Sequence, residues 1–413
     1  MHIHSTTVRL CVPFLVLAAL CISGVCRGQV FVGGAGGAEP SLDARTVGEY
    51  ARILELDVHQ LEAMEAIRAA AARELQRVRV ERTELSDDLR AEATEIGDFS
   101  ILAEEMPQIQ ERFRREAEGI ERRFLDDLRL LLTPDQADRW PEVVRAKRRL
   151  AELPNGVLAG ESLDVVFLAR EFEFSEESLE SLEAALRRYS ADIDVKLAER
   201  MALTSEDPME RAVHAGGGRM NLDLEALMSY QEKMRGARLA VRDVNLRAAR
   251  QVAGLLSGDE RERFESQVRR RAYPMVYRET HALRTLEAAM RFTDLEREQR
   301  ERLEAVRQRY ERSSAILEER MVRAVDAVEE EGGSGGRGRG TMIIRLDLGN
   351  SDAEKALEEV RTARRELERE TMAGVREALT PEQRERLPRR ETVGGGPGVQ
   401  QRSAVFRTTT GGR

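Results

Sequence analysis

The stretch LTPDQ at residues 132–136 has the composition of an abrupt helix start. Thr133 suits the N-cap position, where a side-chain hydroxyl accepts a hydrogen bond from a backbone N–H of the first turn. Pro134 suits the first helical position, because its fixed φ fits a helix and an N–H there would be unpaired anyway. Gln136 stands where its side chain can reach back to the N–H of the cap residue. The stretch therefore predicts a sharp corner between two helices, with Leu132 closing the first.

The same pattern recurs twice at a nearly constant distance. The copies begin at Leu132, Leu256 and Leu379, which are 124 and 123 residues apart. A second marker, the tripeptide Leu-Glu-Ala, recurs at intervals of 121 residues. In the third copy Thr380, Pro381 and Gln383 take the places of Thr133, Pro134 and Gln136, whereas the middle copy has Ser257 and Glu260 in the places of Thr and Gln. Two markers in the same order predict three copies of one structural unit.

Each unit also opens with an apolar residue followed by a residue that can cap a helix. These capping residues are Asp57, Ser175 and Thr293. Gln60 and Glu296 follow the first and third caps by three residues, which is the spacing of a capping box. Ser175 lacks such a partner, because Ser178 occupies that position. Behind the second cap, apolar residues recur at steps of three and four, as in an amphipathic helix: Leu179, Leu182, Leu186, Tyr189, Ile193 and Leu197.

The composition favours long helices with narrow apolar stripes. Charged residues make up 34% of the chain and aromatic residues only 4%, and the net charge is −9. An acidic chain lacks the basic face that phosphate backbones require, so we expect no nucleic-acid partner. We predict an all-α fold of tandem helical-hairpin repeats of about 120 residues, with coiled-coil-like long helices. The predicted segments are a signal peptide (1–28), a flexible lead-in with a short helix (29–53), unit one (54–150), a linker and unit two (151–274), a linker helix and unit three (275–391), and a disordered tail (392–413).

The N-terminus has the features of a secretory signal. Arg9 precedes an apolar run over residues 10–25, and small or polar residues follow, with cleavage predicted near Gly28. This predicts export to the periplasm, with no stable membrane span after cleavage. Two alternatives stay open, a retained signal anchor and lipid attachment at Cys26, although the preceding valine fits lipid attachment poorly. All three cysteines lie in this segment, so the mature chain is predicted to contain none.

The paired motifs resemble those of the Spy/CpxP family of bacterial periplasmic proteins, in which LTxxQ begins a long helix and recurs near the C-terminus. The copies at 132–136 and 379–383 match in full, and the middle and opening copies are degenerate. The resemblance implies either an ATP-independent chaperone that cradles partly unfolded clients, or a regulator that binds an envelope stress sensor. Some relatives bind zinc or other metals. Family members act as dimers of one unit, whereas three units are linked in this chain.

Residue types that carry catalysis or bind metals form no pattern of the known kinds. His59, His214 and His281 are scattered, and no phosphate-binding loop or dinucleotide fingerprint occurs. We therefore expect no enzyme, no cofactor and no metal site. The leading hypothesis is an exported binding protein for unfolded or partly folded envelope proteins. The alternative is a regulator or scaffold with a single envelope sensor as partner. Metal sensing and homodimerisation are further hypotheses.

Overall fold

The computed structural model describes most of the three predicted units. Its described residues are 42–172, 174–204, 206, 224–332 and 351–388. The predicted signal peptide, Cys26, most of the lead-in, His214 and the C-terminal tail lie outside these ranges. Within them the only regular elements are thirteen α-helices and one 3-10 turn, which confirms the all-α prediction. The helices are α1 (Ala44–Leu54), α2 (Val58–Ile96), α3 (Ser100–Leu130), α4 (Pro134–Ala137), α5 (Trp140–Glu152), α6 (Val165–Arg170), α7 (Glu176–Thr204), α8 (Leu224–Leu255), α9 (Gly258–Ala272), α10 (His281–Met290), α11 (Arg297–Glu330), α12 (Asp352–Ala378) and α13 (Pro381–Glu385).

Six long helices pair into three hairpins, one in each repeat. Hairpin 1 consists of α2 and α3, hairpin 2 of α7 and α8, and hairpin 3 of α11 and α12. With a rise of 1.5 Å per residue, the 39 residues of α2 extend over about 58 Å. The buried residues of α2 lie along one narrow face, because their spacings are sums of three- and four-residue steps, as from Leu75 to Val78 and from Leu89 to Ala93. Such a stripe is typical of helices that pack like a coiled coil.

Short helices connect the hairpins and complete their cores. Helix α5 packs against α1 on one side and against α7 of hairpin 2 on the other. Helix α6 contacts α7, α8 and α9, and α10 contacts both helices of hairpin 3. Buried residues of α1 and α5, among them Tyr50 and Val143, therefore belong to the same core as those of hairpin 1. The connecting helices thus join neighbouring repeats by packing.

The apolar stripe of α7 is buried for most of its length. Leu182, Tyr189, Ile193 and Leu197 are at most 2% exposed, and they pack against residues of α8. Leu179 departs from the predicted stripe, because 46% of its surface is exposed in the first turn of the helix. Full burial of a large apolar side chain contributes about 1.5–3 kcal/mol, so this single stripe is a major source of the stability of hairpin 2.

Candidate functional site

The opening and closing motifs of the first repeat meet at the base of hairpin 1. Asp57 Oδ1 accepts the N–H of Gln60 at 2.9 Å, and Gln60 Oε1 accepts the N–H of Asp57 at 3.0 Å. Thr133 Oγ1 accepts the N–H of Gln136 at 3.4 Å, and Gln136 Oε1 accepts the N–H of Thr133 at 3.0 Å. Both helix starts are therefore complete capping boxes, one at α2 and one at α4.

The two capping glutamines also bond to each other. Gln60 Nε2 donates to Gln136 Oε1 at 2.7 Å and to the carbonyl oxygen of Leu131 at 2.8 Å. Gln136 Nε2 donates to Gln60 Oε1 at 2.8 Å and to the carbonyl oxygen of Glu55 at 3.2 Å. Each amide therefore makes two donor and two acceptor contacts, which is its full capacity. We call this arrangement of two linked helix starts the hairpin clasp.

Hairpin 3 has a clasp of the same construction. Gln299 Nε2 donates to Gln383 Oε1 at 2.8 Å, and Gln383 Nε2 donates to Gln299 Oε1 at 3.4 Å. The carbonyl oxygens of Ala378 and Asp294 accept the remaining N–H groups, at 2.9 and 3.2 Å. Thr380 caps α13, which begins at Pro381, because its hydroxyl accepts the N–H of Gln383 at 3.3 Å. Leu379 is buried beside it, and Leu132 is half-buried at the matching position of hairpin 1.

The predicted opening cap of the third repeat was wrong by one helical turn. Thr293 lies in a turn that precedes the helix, and Glu296 is the N-cap of α11 rather than its third residue. The N–H of Glu296 donates to Gln299 Oε1 at 3.0 Å. This register places Gln299 opposite Gln383, where its amide both donates and accepts, whereas a glutamate carboxylate could only accept. Leu295, Glu296 and Gln299 thus correspond to Leu56, Asp57 and Gln60.

In hairpin 2 the opening and closing motifs also contact each other, but through different side chains. The N–H of Ser175 donates to Glu260 Oε1 at 3.1 Å, and Ser178 Oγ donates to Glu260 Oε2 at 2.8 Å. These two hydrogen bonds, first that from Ser175 and then that from Ser178, lower the pKa of Glu260. The hydroxyl of Ser175 accepts the N–H of Ser178 at 3.2 Å, so Ser175 caps α7. A carboxylate offers no donor, and its partner is accordingly a hydroxyl rather than a second acceptor.

Ser257 was predicted to cap a helix through its side chain, and this was wrong. It occupies the N-cap position of α9, but its hydroxyl makes no capping hydrogen bond. The following residue, Gly258, has a φ of +49°, a left-handed conformation at the place where hairpins 1 and 3 have proline. The side chain of Glu260 is directed to hairpin 2 instead of back to Ser257. The degenerate copy thus keeps the contact between the two motifs and loses the local cap.

A charged cleft lies where the first repeat meets the second. Its volume is about 340 Å³, and its wall contains four arginines and two carboxylates. They come from α1, from α5 and from the two ends of α6: Arg45, Arg52, Arg149, Arg170, Glu49 and Asp164. We call it the junction cleft. Glu49 pairs with Arg149 and Arg170, both at 2.9 Å, and with Arg52 at 3.3 Å. One carboxylate thus gathers guanidinium groups from three helices.

Arg149 is the buried centre of this cluster. Only 2% of its surface is exposed, and it contacts both Glu49 and Asp164, the latter at 3.3 Å. Burial by itself would lower the pKa of Arg149, but Asp164 and Glu49 outweigh that effect and raise it. Its charge is therefore compensated inside the protein, and the remaining arginines of the cleft stand nearer to solvent.

A second group of buried charges organises the linker between α5 and α6. Glu161 is fully buried; its carboxylate accepts the N–H groups of Val157 and Leu158 at 2.8 and 3.0 Å and pairs with Arg200 at 2.5 Å. Asn245 of α8 donates to the carbonyl oxygens of Gly160 and Glu161 at 3.0 and 2.8 Å. The linker is thus held by hairpin 2 through polar contacts that replace the hydrogen bonds of a regular element.

Glu329 connects the same linker to hairpin 3. Only 1% of the surface of Glu329 is exposed. Its carboxylate accepts the N–H of Ala159 at 2.9 Å and lies 3.8 Å from Arg242 of hairpin 2. Burial raises the pKa of Glu329 to about 7, against the opposing effects of the Ala159 hydrogen bond and Arg242. Because the group stands between two hairpins and a linker, its protonation state bears on how the second and third repeats are held together.

Apolar side chains are left uncovered at the tip of hairpin 1. Ile96 and Phe99 are 63% and 62% exposed, and Ile101, Leu102 and Met106 are only half-buried. The turn between the helices is well defined, since Asp98 Oδ1 accepts the N–H and the hydroxyl of Ser100 at 2.9 and 2.6 Å. We call residues 96–106 the apolar tip. It carries exposed and half-buried large apolar side chains at a structured turn.

Neither a cluster of metal ligands nor a helix able to span a membrane occurs within the described ranges. No group of three or more His, Cys, Asp or Glu residues there has the arrangement of a metal site. His59 is exposed and His281 half-buried, in different helices. None of the described helices combines the length and the apolar character that crossing a membrane requires.

Comparison with known proteins returned no relative. No protein-family model matches the chain, and neither a curated protein nor a solved structure shows significant similarity to it. The resemblance to the Spy/CpxP family therefore rests on the paired LTxxQ-like residues alone.

Sequence reasoning missed the buried charges of both junctions. Arg149, Glu161 and Glu329 belong to residue types that are almost never fully buried unless paired, and a solvated helix face is the ordinary expectation for them. One local signal was present, because the linker at 153–160 combines Pro, Gly and apolar residues. Such a segment is buried easily, and its backbone N–H groups then need acceptors from elsewhere in the fold.

Proposed function

We propose that this chain is an exported binding protein without catalytic activity that holds partly unfolded polypeptides in the cell envelope and needs no ATP. The observation that carries the proposal is the apolar tip, where Ile96 and Phe99 are both more than 60% exposed. Large apolar side chains exposed close together at the end of a helical element are typical of a site that binds another molecule. Export is supported by the signal-like residues 1–28.

The surroundings of the apolar tip suit loose binding of unfolded chains. The nearest buried positions of hairpin 1 are Ala93 on α2 and Phe113 on α3, so the tip lies beyond the core of the hairpin. Glu104, Glu105 and Gln108 are exposed among the apolar residues. Apolar contacts of this kind are non-directional and accept many sequences, whereas the interspersed charges keep the free surface hydrated. The clasp at the other end fixes the hairpin from which the tip projects.

The test is light scattering from an aggregating client protein without ATP. We expect the wild-type chain to suppress aggregation, and the double variant Ile96→Ser/Phe99→Ser to suppress it less. A matched control is Val195→Ser/Ile316→Ser, which removes two apolar side chains of similar exposure, 53% and 62%, from separate helices. Circular dichroism should show unchanged melting of both variants, because all four side chains are exposed.

Two results would count against the proposal. Absence of suppression by the wild type at molar excess over the client contradicts the holding function. An equal loss in the two double variants contradicts the apolar tip as the binding site. Recovery of one envelope sensor, and of no unfolded clients, from the native envelope would favour the regulator hypothesis instead.

A further inference from the structure

The wall of the junction cleft contains more guanidinium groups than carboxylates. It holds four guanidinium groups and two carboxylates, so two positive charges are in excess. The chain as a whole is acidic, with a net charge of −9. A local excess of arginine in an acidic protein is an electrostatic feature of that place and does not follow from the general composition. An excess of one sign of charge in the wall of a cleft raises the local concentration of ions of the opposite sign.

The outer arginines of the cleft keep most of their hydrogen-bond donors available. Among the described residues, Arg52 donates one hydrogen bond and Arg170 one, both to Glu49. A guanidinium group has five N–H donors in a planar fork. Half of the Arg52 side chain and 29% of the Arg170 side chain are exposed, so these donors are accessible at the mouth of the cleft.

Arg45 is oriented by a contact that uses none of its donors. Its guanidinium carbon lies 3.4 Å from the centre of the Phe167 ring, and its closest carboxylate oxygen, on Asp164, is 3.8 Å away. Stacking on an aromatic face holds a guanidinium in one plane and leaves its N–H groups at the edge of that plane. Arg45 is thus preorganised, and preorganisation lowers the entropic cost of binding.

The cleft has the dimensions of a small-molecule site. A volume of about 340 Å³ lies within the range of ligand pockets in proteins, which begins near 300 Å³. Guanidinium groups match oxyanions in pairs of parallel hydrogen bonds, which are among the stronger polar contacts. The excess of two guanidinium groups over carboxylates in the wall matches the charge of one dianion.

We propose that the junction cleft binds a small dianion through Arg45, Arg52 and Arg170. The inference is independent of the apolar tip, because the cleft lies between the first and second repeats. The ligand is either a tetrahedral oxyanion or a short dicarboxylate, since both present two negative charges to guanidinium donors. Bound there, the anion would bridge α1 and α6 and hold the two repeats together more firmly.

The experiment is isothermal titration calorimetry of the mature chain with inorganic phosphate at mildly alkaline pH and, separately, with succinate. Acetate is the singly charged reference. We expect at least one dianion to bind and acetate to bind more weakly. Binding of phosphate alone identifies a tetrahedral oxyanion as the ligand class, and binding of succinate alone identifies a dicarboxylate.

Variants connect the binding to the cleft. Arg45→Gln/Arg52→Gln should weaken dianion binding by about tenfold or more, the effect expected for losing charge-assisted hydrogen bonds. Arg90→Gln/Arg112→Gln is the matched control, because these arginines are similarly exposed on hairpin 1 and paired with single carboxylates. Thermal melting without ligand should be similar in both variants. Absence of dianion binding to the wild type, or an equal loss of affinity in the two variants, would overturn the proposal.

Discussion

The primary amide groups of glutamine side chains hold the two helix starts together at the base of hairpins 1 and 3. Gln136 accepts the N–H of Thr133 and exchanges hydrogen bonds with Gln60, so one side chain joins two helix starts that are 76 residues apart in sequence. A glutamate in that position could still accept but could no longer donate. The middle hairpin shows the consequence, because Glu260 is met there by the donors of Ser175 and Ser178.

Gln136→Glu should therefore destabilise the protein. The carboxylate would face Gln60 Oε1 and the carbonyl oxygen of Glu55 without a donor, and the expected loss is about 1–3 kcal/mol of unfolding free energy. Adding Gln60→Ser recreates the Ser178–Glu260 pair of hairpin 2 and should recover part of the loss, with a coupling energy of about 0.5 kcal/mol or more. Chemical denaturation measures both. Gln76→Glu, exposed in the middle of α2, is the control and should change stability by less than about 0.5 kcal/mol.

Glu329 should make stability depend on pH. Its pKa is about 7 in the folded protein and 4.5 ordinarily, so the folded state binds more protons than the unfolded state between these values. The contribution of Glu329 to the free energy of unfolding therefore falls as pH rises through this interval. Glu329→Gln keeps an acceptor for the N–H of Ala159 and cannot ionise. In chemical denaturation, the unfolding free energy of Glu329→Gln minus that of the wild type should be larger at pH about 8 than at pH about 5. An equal difference at both pH values would contradict the raised pKa.

At the scale of helices, the repeat pattern predicted the hairpins and left their register partly open. Capping residues and the spacing of apolar positions are local features, and they were sufficient to place the starts of α2, α4, α7 and α13. The prediction that Thr293 caps α11 was wrong because two capping patterns overlap there. The choice between them depends on Gln383, which lies 90 residues further along the chain. Contacts at such a distance are not visible in a single sequence.

Thr380→Ala and Thr293→Ala test the corrected register. Thr380 accepts the N–H of Gln383, so its truncation should cost about 1 kcal/mol of unfolding free energy. Thr293 is exposed in the turn before α11, and its truncation should cost less than about 0.5 kcal/mol. The denaturation midpoints of the two variants give the comparison. If Thr293→Ala lowered the unfolding free energy as much as Thr380→Ala, Thr293 rather than Glu296 would be the cap of α11.

At the scale of the whole molecule, three similar hairpins are joined by two junctions that differ from each other. The first junction gathers Glu49, Arg149 and Asp164 around a cleft, and the second places Glu329 against the linker and Arg242. Removing one member of such a buried pair typically costs several kcal/mol, because the other charge is left uncompensated. The repeats predicted three units, but composition alone could not indicate these junctions, since the same residue types cover every solvated helix face.

The proposed function belongs to the whole molecule as well, because a hairpin anchored by its clasp carries an exposed apolar tip at its other end. The most direct measurement is hydrogen–deuterium exchange of the full chain with and without a partly unfolded client. We predict that the client slows exchange of the backbone amides at residues 93–106 and has a smaller effect at the clasps. Ile96→Ser/Phe99→Ser should abolish that protection, whereas Val195→Ser/Ile316→Ser should retain it. Suppression of client aggregation without any protection at residues 93–106 would contradict the account.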